Sequence, residues 1–453
     1  MEKFNSSGTP LFTNLKIYKN QHFSSFHTPG HKNSAFFSKI NFSKLDFTEL
    51  SSTDDLFEPL GPILQSEKNA AEIFNTKKTL FSAAGCSLCV QTMLRLAFPN
   101  GGKIITSRII HKSAINAMAL LNIKPIYLTP EKDLKTNFWK AISPQAISNT
   151  LKENPDVKAV FITSPDYFGI LADIKAISKI CKKFGVLLLV DNAHGSHLGF
   201  LKKDLHPIHL GADMCADSAH KTLPVFTGGA FLHINNSKFL DIVKKEMQLF
   251  ASTSPSFPIL ISLDLCCSFL KKHGKKSFLK LEQTIENIKK LALKAGLILP
   301  IGLCDPIRLS FNTSKIGLSG KGFSDYLRKF KIEPEFYIDD FVVLISTPFN
   351  KKNDFKRLRK ALINLPKLNP NPLRKNKNNF YYFDEPKIGA TLNQTLFSES
   401  YKINTKDSLG KISKYMICPC PPGVPILLPG EIITNSIIEN LINYGIFSLD
   451  VLK

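Results

Sequence analysis

The stretch AVFITSPDYFGILADIKAISKICKKFGVLLLVDNAH (159–194) decides the fold, because two short apolar runs in it flank an amphipathic segment. AVFIT (159–163) and GVLLLVD (185–191) are apolar on both faces, which is typical of strands inside a parallel sheet. The intervening DIKAISKICKKF (173–184) repeats apolar residues at helical spacing, and Asp173 can cap its first turn. Strand, helix and strand in this order predict an α/β fold with a mostly parallel sheet covered by helices.

The same alternation extends along the chain on both sides of this stretch. The other predicted strands are TLFSAAG (79–85), KIIT (103–106), KPIYL (124–128) and GAFLHI (229–234). Helices are expected over Ser66–Phe74 with Ser66 as the N-cap, over 237–250 and over 275–296.

Beyond about residue 300 the pattern changes to short strands (340–346) mixed with helices (354–365). We therefore expect an N-terminal arm (1–40), a large α/β domain (41–298) and a smaller C-terminal α+β domain (299–453). The smaller domain contains a basic linker at about 366–380, where LNPNPLRKNKNN (368–379) is rich in proline, asparagine and lysine.

Composition bounds the class of protein. The 453 residues are 43% hydrophobic and 21% charged, which excludes wholesale disorder and allows a normal core. No apolar run approaches the roughly 20 residues that span a bilayer. The sequence begins without a signal-peptide pattern, so we expect a cytoplasmic protein. The net charge of +22 leaves a nucleic-acid-binding role open, although the lysines are dispersed along the chain.

Two groups of residues have the chemistry of metal ligands, the cysteines and a pair of histidines. Nine cysteines, an odd number with no secretion signal, indicate reduced thiols. Cys86-x-x-Cys89 could be half of a zinc site or a redox pair, but no second pair stands at finger spacing, so buried small side chains are favoured. His194-x-x-His197 lies in a loop after a strand, and we expect no metal there either.

Ligands of open α/β sheets bind at the carboxyl ends of the strands. The segments that follow the predicted strands therefore deserve comparison, and we expect them to lie on one rim. They are Gly85–Ser87, Arg108–Ser113, Ser164–Pro165, Asp191–His194 and Ser218–Lys221.

This rim suits an aromatic aldehyde that carries a phosphate. Gly85 and the amides of Cys86 and Ser87 open a helix whose positive end favours an anion. Asp191 follows a very apolar strand and needs a cationic partner such as a protonated pyridine. A lysine such as Lys221 can form a Schiff base with a carbonyl. Taken singly, each residue also has an ordinary interpretation as a turn, cap or solvated side chain.

Eight motifs resemble the Orn/Lys/Arg decarboxylase family, whose members are fold-type I pyridoxal-phosphate enzymes with an aspartate-aminotransferase-like fold. The resemblance runs from near the start to about residue 434. The motifs are FHTPGHK (26–32), LSSTDDLFEPLGPI (50–63), HKSAINA (111–117), ITSPDYFG (162–169), VDNAHGSHLGF (190–200), DSAHKTLP (217–224), TSPSFPILISLD (253–264) and PPGVPILLPGE (421–431).

The resemblance implies a role for each matching residue. Lys221 matches the lysine that forms the internal aldimine with pyridoxal 5'-phosphate, and Asp191 matches the partner of the pyridine nitrogen. His111 matches the histidine stacked on the ring, and His194 lies near the ring. The phosphate is implied to lie between two groups, Ser218 and His220 on one side and Gly85, Cys86 and Ser87 on the other.

The implied reaction is decarboxylation of arginine, lysine or ornithine to the amine, a carbon–carbon lyase reaction. In it His220 or Lys221 would protonate the α-carbon, with His111 fixing the ring plane. Arginine has an edge because short members without the N-terminal wing domain often act in polyamine biosynthesis. A homodimer or higher homo-oligomer is also implied.

The basic substrate needs acids near it, and the motifs offer five. The candidates are Asp54, Asp55, Glu58, Asp166 and Glu431. An equally weighted alternative is that Asp54 and Asp55 only cap a loop or pair across subunits. We expect neutralisation of Glu431 to raise KM for the basic amino acid.

Another fold-type I reaction, such as transamination or a different lyase activity, stays open, because the cofactor residues do not determine which bond is broken. The sequence also departs from the family pattern at three places, of which the first two are expected to weaken cofactor binding and the third concerns substrate identity and activity. The phosphate turn reads Ala84–Ser87 with Cys86 in place of a hydroxyl residue, the usual Asp-Glu-Ala-His reads Asp191–His194, and an acid expected before residue 421 is replaced within 411–415. An aminotransferase would offer an arginine to the α-carboxylate, and Arg308 is the candidate.

Overall fold

A computed structural model describes residues 10–365, 387–418 and 425–453, with side chains from residue 14 onward. The helices are α1 (Pro10–Asn20), α2 (Pro62–Ile73), α3 (Gly85–Ala97), α4 (Lys112–Leu120), α5 (Pro144–Glu153), α6 (Ile174–Phe184), α7 (Ala219–Thr222), α8 (Val243–Gln248), α9 (Phe257–Phe269), α10 (Lys275–Lys294), α11 (Gly320–Lys329), α12 (Lys352–Ile363), α13 (Leu392–Phe397) and α14 (Asn435–Asn443). The strands are β1 (Ser24–Phe26), β2 (Lys78–Ser82), β3 (Gly102–Ser107), β4 (Ile123–Leu128), β5 (Val157–Thr163), β6 (Leu187–Asp191), β7 (Met214–Asp217), β8 (Ala230–Ile234), β9 (Arg308–Asn312), β10 (Ile332–Pro334), β11 (Phe336–Ile338), β12 (Phe341–Ile345), β13 (Ser400–Asn404) and β14 (Ser448–Leu452).

A seven-stranded sheet in the order β2-β8-β7-β6-β5-β3-β4 forms the centre of the molecule. Strands β7, β6, β5, β3 and β4 pair in parallel, whereas β8 is antiparallel to both of its neighbours. Because only β8 is reversed, the other six strands end at the same edge. The predicted mostly parallel α/β fold is confirmed.

The two faces of the sheet are both buried, as its apolar strands predict. Along β6, Leu188 and Val190 pack into one hydrophobic cluster, while Leu189 between them packs into the other. Helix α6 covers the first of these faces with Ile177 and Cys181. Its first turn is capped by the Asp173 side chain, which accepts a hydrogen bond from the Ala176 amide.

Three details of the secondary structure differ from the prediction. The helix expected from Ser66 begins at Pro62, because proline suits the first position of a helix. The stretch expected to be helical over 237–250 is a 3-10 turn (Ser237–Phe239) followed by the short α8. Strand β7 has no range in the prediction, although Ser218–Lys221 is expected to follow a strand, since the four residues Met-Cys-Ala-Asp give too short a pattern to delimit.

Smaller sheets lie outside the central one. Strands β9, β12 and β11 form an antiparallel sheet, and β13 pairs with β14. Strand β1 of the N-terminal segment pairs in parallel with β10. The predicted domain boundaries stay a prediction, and the basic linker at 366–380 lies outside the described residues.

The N-terminal segment then passes close to the turn that carries Lys221. The Gly30 amide donates a hydrogen bond to the His220 carbonyl oxygen over 2.6 Å. A Cβ atom at Gly30 would lie 2.4 Å from the Leu223 carbonyl oxygen, so only glycine fits this approach. The segment thereby forms one wall behind the Lys221 turn.

Candidate active site

A cavity of about 190 Å³ opens at the carboxyl-end edge of the central sheet. It lies where β5, β6 and β7 end and where helices α3 and α4 begin, the position at which open α/β sheets bind ligands. All nine residues that the sequence assigned to a cofactor line it: Gly85, Cys86, Ser87, His111, Asp191, His194, Ser218, His220 and Lys221.

The anion end of the cavity is the first turn of α3. Gly85 has φ +75°, a left-handed conformation that favours glycine, and nothing lies within 4 Å of the place where its Cβ would stand. The amides of this turn have no partner within the helix, and the helix dipole adds partial positive charge. Opposite lies Ser218, whose Oγ is 3.3 Å from His220 Nδ1. The arrangement suits a phosphate group.

Cys86 lines this anion end, and Cys89 lies one turn further along α3. Both are free thiols in the structure. Burial raises the pKa of Cys86 well above its usual value and that of Cys89 to about 12. Both therefore remain protonated at neutral pH. Cys89 is buried, as the sequence analysis expected, whereas Cys86 is half-buried in the cavity wall.

Asp191 is the buried acid of the cavity. It is 3% exposed, and its Oδ1 accepts a hydrogen bond from the Ala193 amide over 3.1 Å. Burial raises the pKa of its carboxyl group, while His111 and Lys221 oppose that rise. A buried carboxylate with these neighbours is stabilised by a further cation in the cavity.

His111 is the N-cap of α4, and its ring forms part of the cavity wall. Its Nδ1 accepts a hydrogen bond from the Ser113 amide over 3.2 Å and lies 2.8 Å from Ser113 Oγ. Burial lowers the pKa of the imidazole, so the neutral ring carries its proton on Nε2. The cap therefore fixes both the plane of the ring and its tautomer.

Lys221, His194 and Arg308 form a line from the cavity into the protein. Lys221 Nζ lies 3.0 Å from His194 Nε2, and Arg308 Nη2 lies 3.3 Å from both His194 Nδ1 and the His194 carbonyl oxygen. Burial lowers the pKa of the Lys221 ammonium group. Arg308 is buried behind His194 and does not line the cavity, so its position does not offer the exposed carboxylate anchor expected of an aminotransferase.

Tyr167 and Thr163 also line the cavity, and the sequence analysis assigned neither of them. The Tyr167 ring lies 4.5 Å from the His194 ring, centroid to centroid. Thr163 Oγ1 is buried without a hydrogen-bond partner. Thr163 is the last residue of β5 and Tyr167 follows its end, so the strand-end rule would have found Thr163 if it had included the last strand residue, and Tyr167 if it had been applied past Pro165.

The acidic substrate candidates of the 50–63 motif lie apart from this cavity. Asp54, Asp55 and Glu58 line a different one near the start of α2. The Asp54 carboxylate accepts hydrogen bonds from the backbone amides of Leu60, Gly61 and Ile63. Asp54 therefore caps a loop, as the alternative interpretation states.

Asp166 forms a turn after β5. Its Oδ1 accepts hydrogen bonds from the amides of Phe168 and Ile170 over 2.9 and 2.8 Å. Burial raises the pKa of its carboxyl group to about 7. Its side chain is thus used to shape the Tyr167 loop.

Glu431 is fully buried in an ion pair with Arg108, which is 1% exposed. Its Oε2 receives hydrogen bonds from Arg108 Nη2 over 2.7 Å and from the Leu428 amide over 2.8 Å. Arg108 Nη2 also reaches the Ile426 carbonyl oxygen over 3.2 Å. The pair fastens the segment 425–431 to the end of β3, beside cavity residues Ile109 and Ile110.

Lys414 occupies the region where the family pattern suggested an acid. Its ammonium group donates hydrogen bonds to the carbonyl oxygens of Thr395, Leu396 and Ser398 over 2.7–2.8 Å. These are the carbonyls at the C-terminal end of α13, where a cation is favoured. Lys414 therefore stabilises the C-terminal part of the fold.

Asn192, a second departure, contacts a buried cluster beneath the cavity. Its Nδ2 donates to Asp217 Oδ1 over 2.7 Å, and Asp217 Oδ2 lies 2.9 Å from His206 Nε2 and 3.3 Å from His233 Nε2. Although burial alone would raise it, the two histidines hold the pKa of Asp217 below its usual value. A glutamate at position 192 would place a second carboxylate against Asp217, which explains the amide.

His197, the second member of the His-x-x-His pair, faces away from His194. Its Nε2 lies 3.1 Å from Asp305 Oδ1, and both side chains are buried. Burial opposes ionisation of Asp305, but His197 and Arg308 outweigh it and lower its pKa to about 2. The two histidines thus contact different partners and do not converge on one ligand position.

We expect Asp305→Asn to lower the free energy of unfolding by about 2 kcal/mol at pH 6, because 1 pKa unit corresponds to about 1.4 kcal/mol. A carboxyl group whose pKa is depressed on folding contributes stability above its unfolded pKa of about 3.9. That contribution is lost as the pH falls through its folded pKa of about 2. Urea unfolding at several pH values should show the gap between wild type and variant closing below pH 4. A gap that does not change with pH would contradict the assignment, and the exposed Asp156→Asn is the control.

The topology and the site together define a class of protein. A mostly parallel sheet with a lysine on the turn after β7, a buried acid at the end of β6 and an anion-binding helix start belongs to the fold-type I pyridoxal-phosphate enzymes. Residues 9–299 match the model of the Orn/Lys/Arg decarboxylase family, major domain. The chain belongs to this family, as the motifs indicated.

Comparisons with individual proteins agree. The chain is 31% identical to an arginine decarboxylase of Bacillus subtilis, over 98% of this chain and 94% of that protein. It is 29% identical to an arginine decarboxylase of Halalkalibacterium halodurans, over 94% and 91%. Lysine decarboxylase A from Pseudomonas aeruginosa superposes with a TM-score of 0.78 at 17% identity, covering 98% of this chain and 80% of that one, which shows the shared fold.

Family membership makes the chain an amino-acid decarboxylase that acts on a basic amino acid, and it implies pyridoxal phosphate as the cofactor. This favours decarboxylation over the aminotransferase or other lyase alternative. It also provides a function that requires no nucleic-acid partner. No helix in the part of the chain that the structure describes is long and apolar enough to cross a membrane.

Proposed function

We propose that this protein decarboxylates arginine, with pyridoxal 5'-phosphate held in the cavity at the ends of β5, β6 and β7. The observation that carries the proposal is the convergence of Lys221, Asp191, His111 and the α3 start on one cavity of about 190 Å³. The choice of arginine rests on the relatives named arginine decarboxylase, which are 28–31% identical over nearly the whole chain.

The cavity fits this cofactor on its own chemistry. Open space above Gly85 and the α3 amides suit a phosphate, and the buried Asp191 carboxylate suits a protonated pyridine nitrogen. Thr163 Oγ1 is a buried polar atom without a partner on the same wall. Lys221 supplies the amine that an aldehyde requires.

Bound pyridoxal phosphate withdraws electrons from the α-carbon of an attached amino acid, which makes loss of carbon dioxide possible. The protein's residues make that chemistry selective. Asp191 would hold a protonated pyridine nitrogen, because its negative charge opposes loss of that proton. His111 would hold the ring plane, because the Ser113 contacts prevent its own rotation. Lys221 Nζ, or His220 beside it, would deliver the proton that replaces the carboxyl group.

The substrate's guanidinium group needs acids that one copy of the described cavity does not supply. Among the described residues that line it, Asp191 is the only acid. We propose a homodimer in which a second copy brings Asp55 and Glu58 to this mouth. The exposed apolar side chains of Phe47, Leu50 and Leu60 in the same segment support such an interface.

We place the reaction in the cytoplasm. Seven cysteines have free thiols in the structure, and reduced thiols persist in that compartment: Cys86, Cys89, Cys181, Cys215, Cys266, Cys267 and Cys304.

The test of the proposed function is carbon dioxide release from arginine, lysine and ornithine by the purified protein with added pyridoxal phosphate. We expect release from arginine with the highest kcat/KM of the three. Preference for lysine or ornithine would overturn the substrate assignment and keep the reaction. Absence of release from all three, with cofactor bound, would overturn the reaction as well.

We expect Asp191→Asn to bind pyridoxal phosphate about 10- to 100-fold more weakly. A hydrogen bond to a charged group contributes about 1.5–3 kcal/mol, and about 1.4 kcal/mol corresponds to a factor of ten. The dissociation constant is measured by absorbance titration of the cofactor-free protein. Asp166→Asn is a matched control, since that carboxyl group bonds to its own turn outside the cavity. Equal affinity in Asp191→Asn and wild type would remove Asp191 from this role.

A further inference from the structure

The contact between His194 and Arg308 determines which nitrogen atoms of His194 and Lys221 carry protons. A guanidinium group remains protonated in proteins and can only donate hydrogen bonds. Arg308 Nη2 lies 3.3 Å from His194 Nδ1, so that nitrogen must be the acceptor. A proton on Nδ1 would set two donors against each other in a buried place.

A neutral imidazole with a bare Nδ1 carries its proton on Nε2. This Nε2 lies 3.0 Å from Lys221 Nζ, and it can therefore only donate there. An ammonium group has no lone pair to accept that bond, whereas a neutral amine has one. The doubly protonated imidazole is disfavoured, because burial and the charge of Arg308 lower the pKa of His194 well below its usual value.

We propose that Arg308 acts through His194 as a positioning residue that holds Lys221 as the neutral amine before cofactor binds. The neutral form has the lone pair that a nucleophilic amine needs. Arg308 thus prepares Lys221 without lining the cavity itself. The inference rests on the proposed role of Lys221 but concerns the chain without cofactor.

Other charged groups face Lys221 from the elements around it. Asp191 at the end of β6 and Glu335 between β10 and β11 both favour the charged ammonium, whereas the protonated Cys86 thiol in α3 carries no charge. Burial and Arg308 favour the neutral amine. These opposing effects on the Lys221 pKa are both present, and the hydrogen bond from His194 therefore shifts the equilibrium toward the neutral amine.

The test measures the proton state of Lys221 directly in the full-length chain freed of cofactor. Brief labelling with acetic anhydride at a series of pH values modifies only neutral amines, and peptide mass spectrometry quantifies the Lys221 peptide. The midpoint of the labelling curve gives the pH at which Lys221 loses its proton. The Lys203 peptide, from an exposed lysine, serves as the internal control.

We expect Arg308→Met to raise the Lys221 midpoint by about one pH unit or more, since His194 can then place its proton on Nδ1 and accept from the ammonium. Arg308→Lys keeps a charged donor and should leave the midpoint near that of wild type. His194→Gln offers a carbonyl acceptor and should raise the midpoint on its own. Circular dichroism and thermal unfolding identify any variant that has not folded.

The double variant separates this relay from a plain charge effect. If Arg308 acts through His194, Arg308→Met changes the midpoint much less in the His194→Gln background than in wild type. Equal shifts in the two backgrounds would overturn the proposal, as would an unchanged midpoint in His194→Gln. These readouts need no turnover, so a failure of the proposed arginine decarboxylation is seen separately in the carbon dioxide assay.

Discussion

Lys221→Ala is expected to release carbon dioxide from arginine at least about a thousandfold more slowly than wild type. The variant loses the amine that captures the cofactor aldehyde and a group that can return a proton to the α-carbon, and such groups each contribute factors of about 10² to 10⁴. The structure gives little reason for the fold to suffer, because the Nζ hydrogen bond described for Lys221 is the one to His194. Release is measured with saturating cofactor.

Lys289→Ala is the matched control for this experiment. Lys289 is, like Lys221, a half-buried lysine; it donates a hydrogen bond to the Pro306 carbonyl oxygen over 2.8 Å but lies outside the cavity. It should keep most of the wild-type rate. Rapid release by folded Lys221→Ala would show that another group performs the chemistry.

Arg108→Met is expected to lower the free energy of unfolding by about 3–5 kcal/mol. The change leaves Glu431 buried and without its partner, and breaking a buried ion pair on one side costs that much. The Leu428 amide then remains as a hydrogen-bond donor to the carboxylate. Urea unfolding gives the value, with a matched measurement on Glu431→Leu.

The double variant Arg108→Met with Glu431→Leu should recover part of this loss, because no uncompensated charge is then buried. A double variant as unstable as the sum of the single ones would contradict the pairing. The Arg108 pairing also changes the expectation for Glu431→Gln, which the sequence analysis expected to raise KM. With its carboxylate paired to Arg108, we now expect loss of stability to precede any change in KM.

The sheet could be predicted from the sequence because each of its longer strands is a local pattern. The runs at 159–163 and 185–191 are apolar on both faces, and nothing but burial on both sides of a sheet satisfies them. The bounds of strand β7 could not be predicted because four residues carry too little periodicity. The start of α2 was misplaced since Pro62 outweighs Ser66 as a helix signal.

The cofactor rim could be predicted for a related reason. In a parallel sheet the ends of the strands meet at one edge, so proximity follows from sequence position alone. The acids could not be predicted in this way. The partner of Glu431 is Arg108, 323 residues away, and no local pattern reveals that its carboxylate is already paired. Arg308 likewise reaches His194 from another part of the chain, 114 residues away.

The pairing of β1 with β10 has a consequence for synthesis on the ribosome. Thr28, next to β1, donates its amide to Glu335 after β10, and 307 residues separate the two. At about 5–20 residues per second, roughly 15–60 s pass between their translation. The segment around Gly30 is therefore synthesised long before β10, the strand that pairs with β1 and holds this segment in place. The wall behind Lys221 is complete only when most of the polypeptide has emerged.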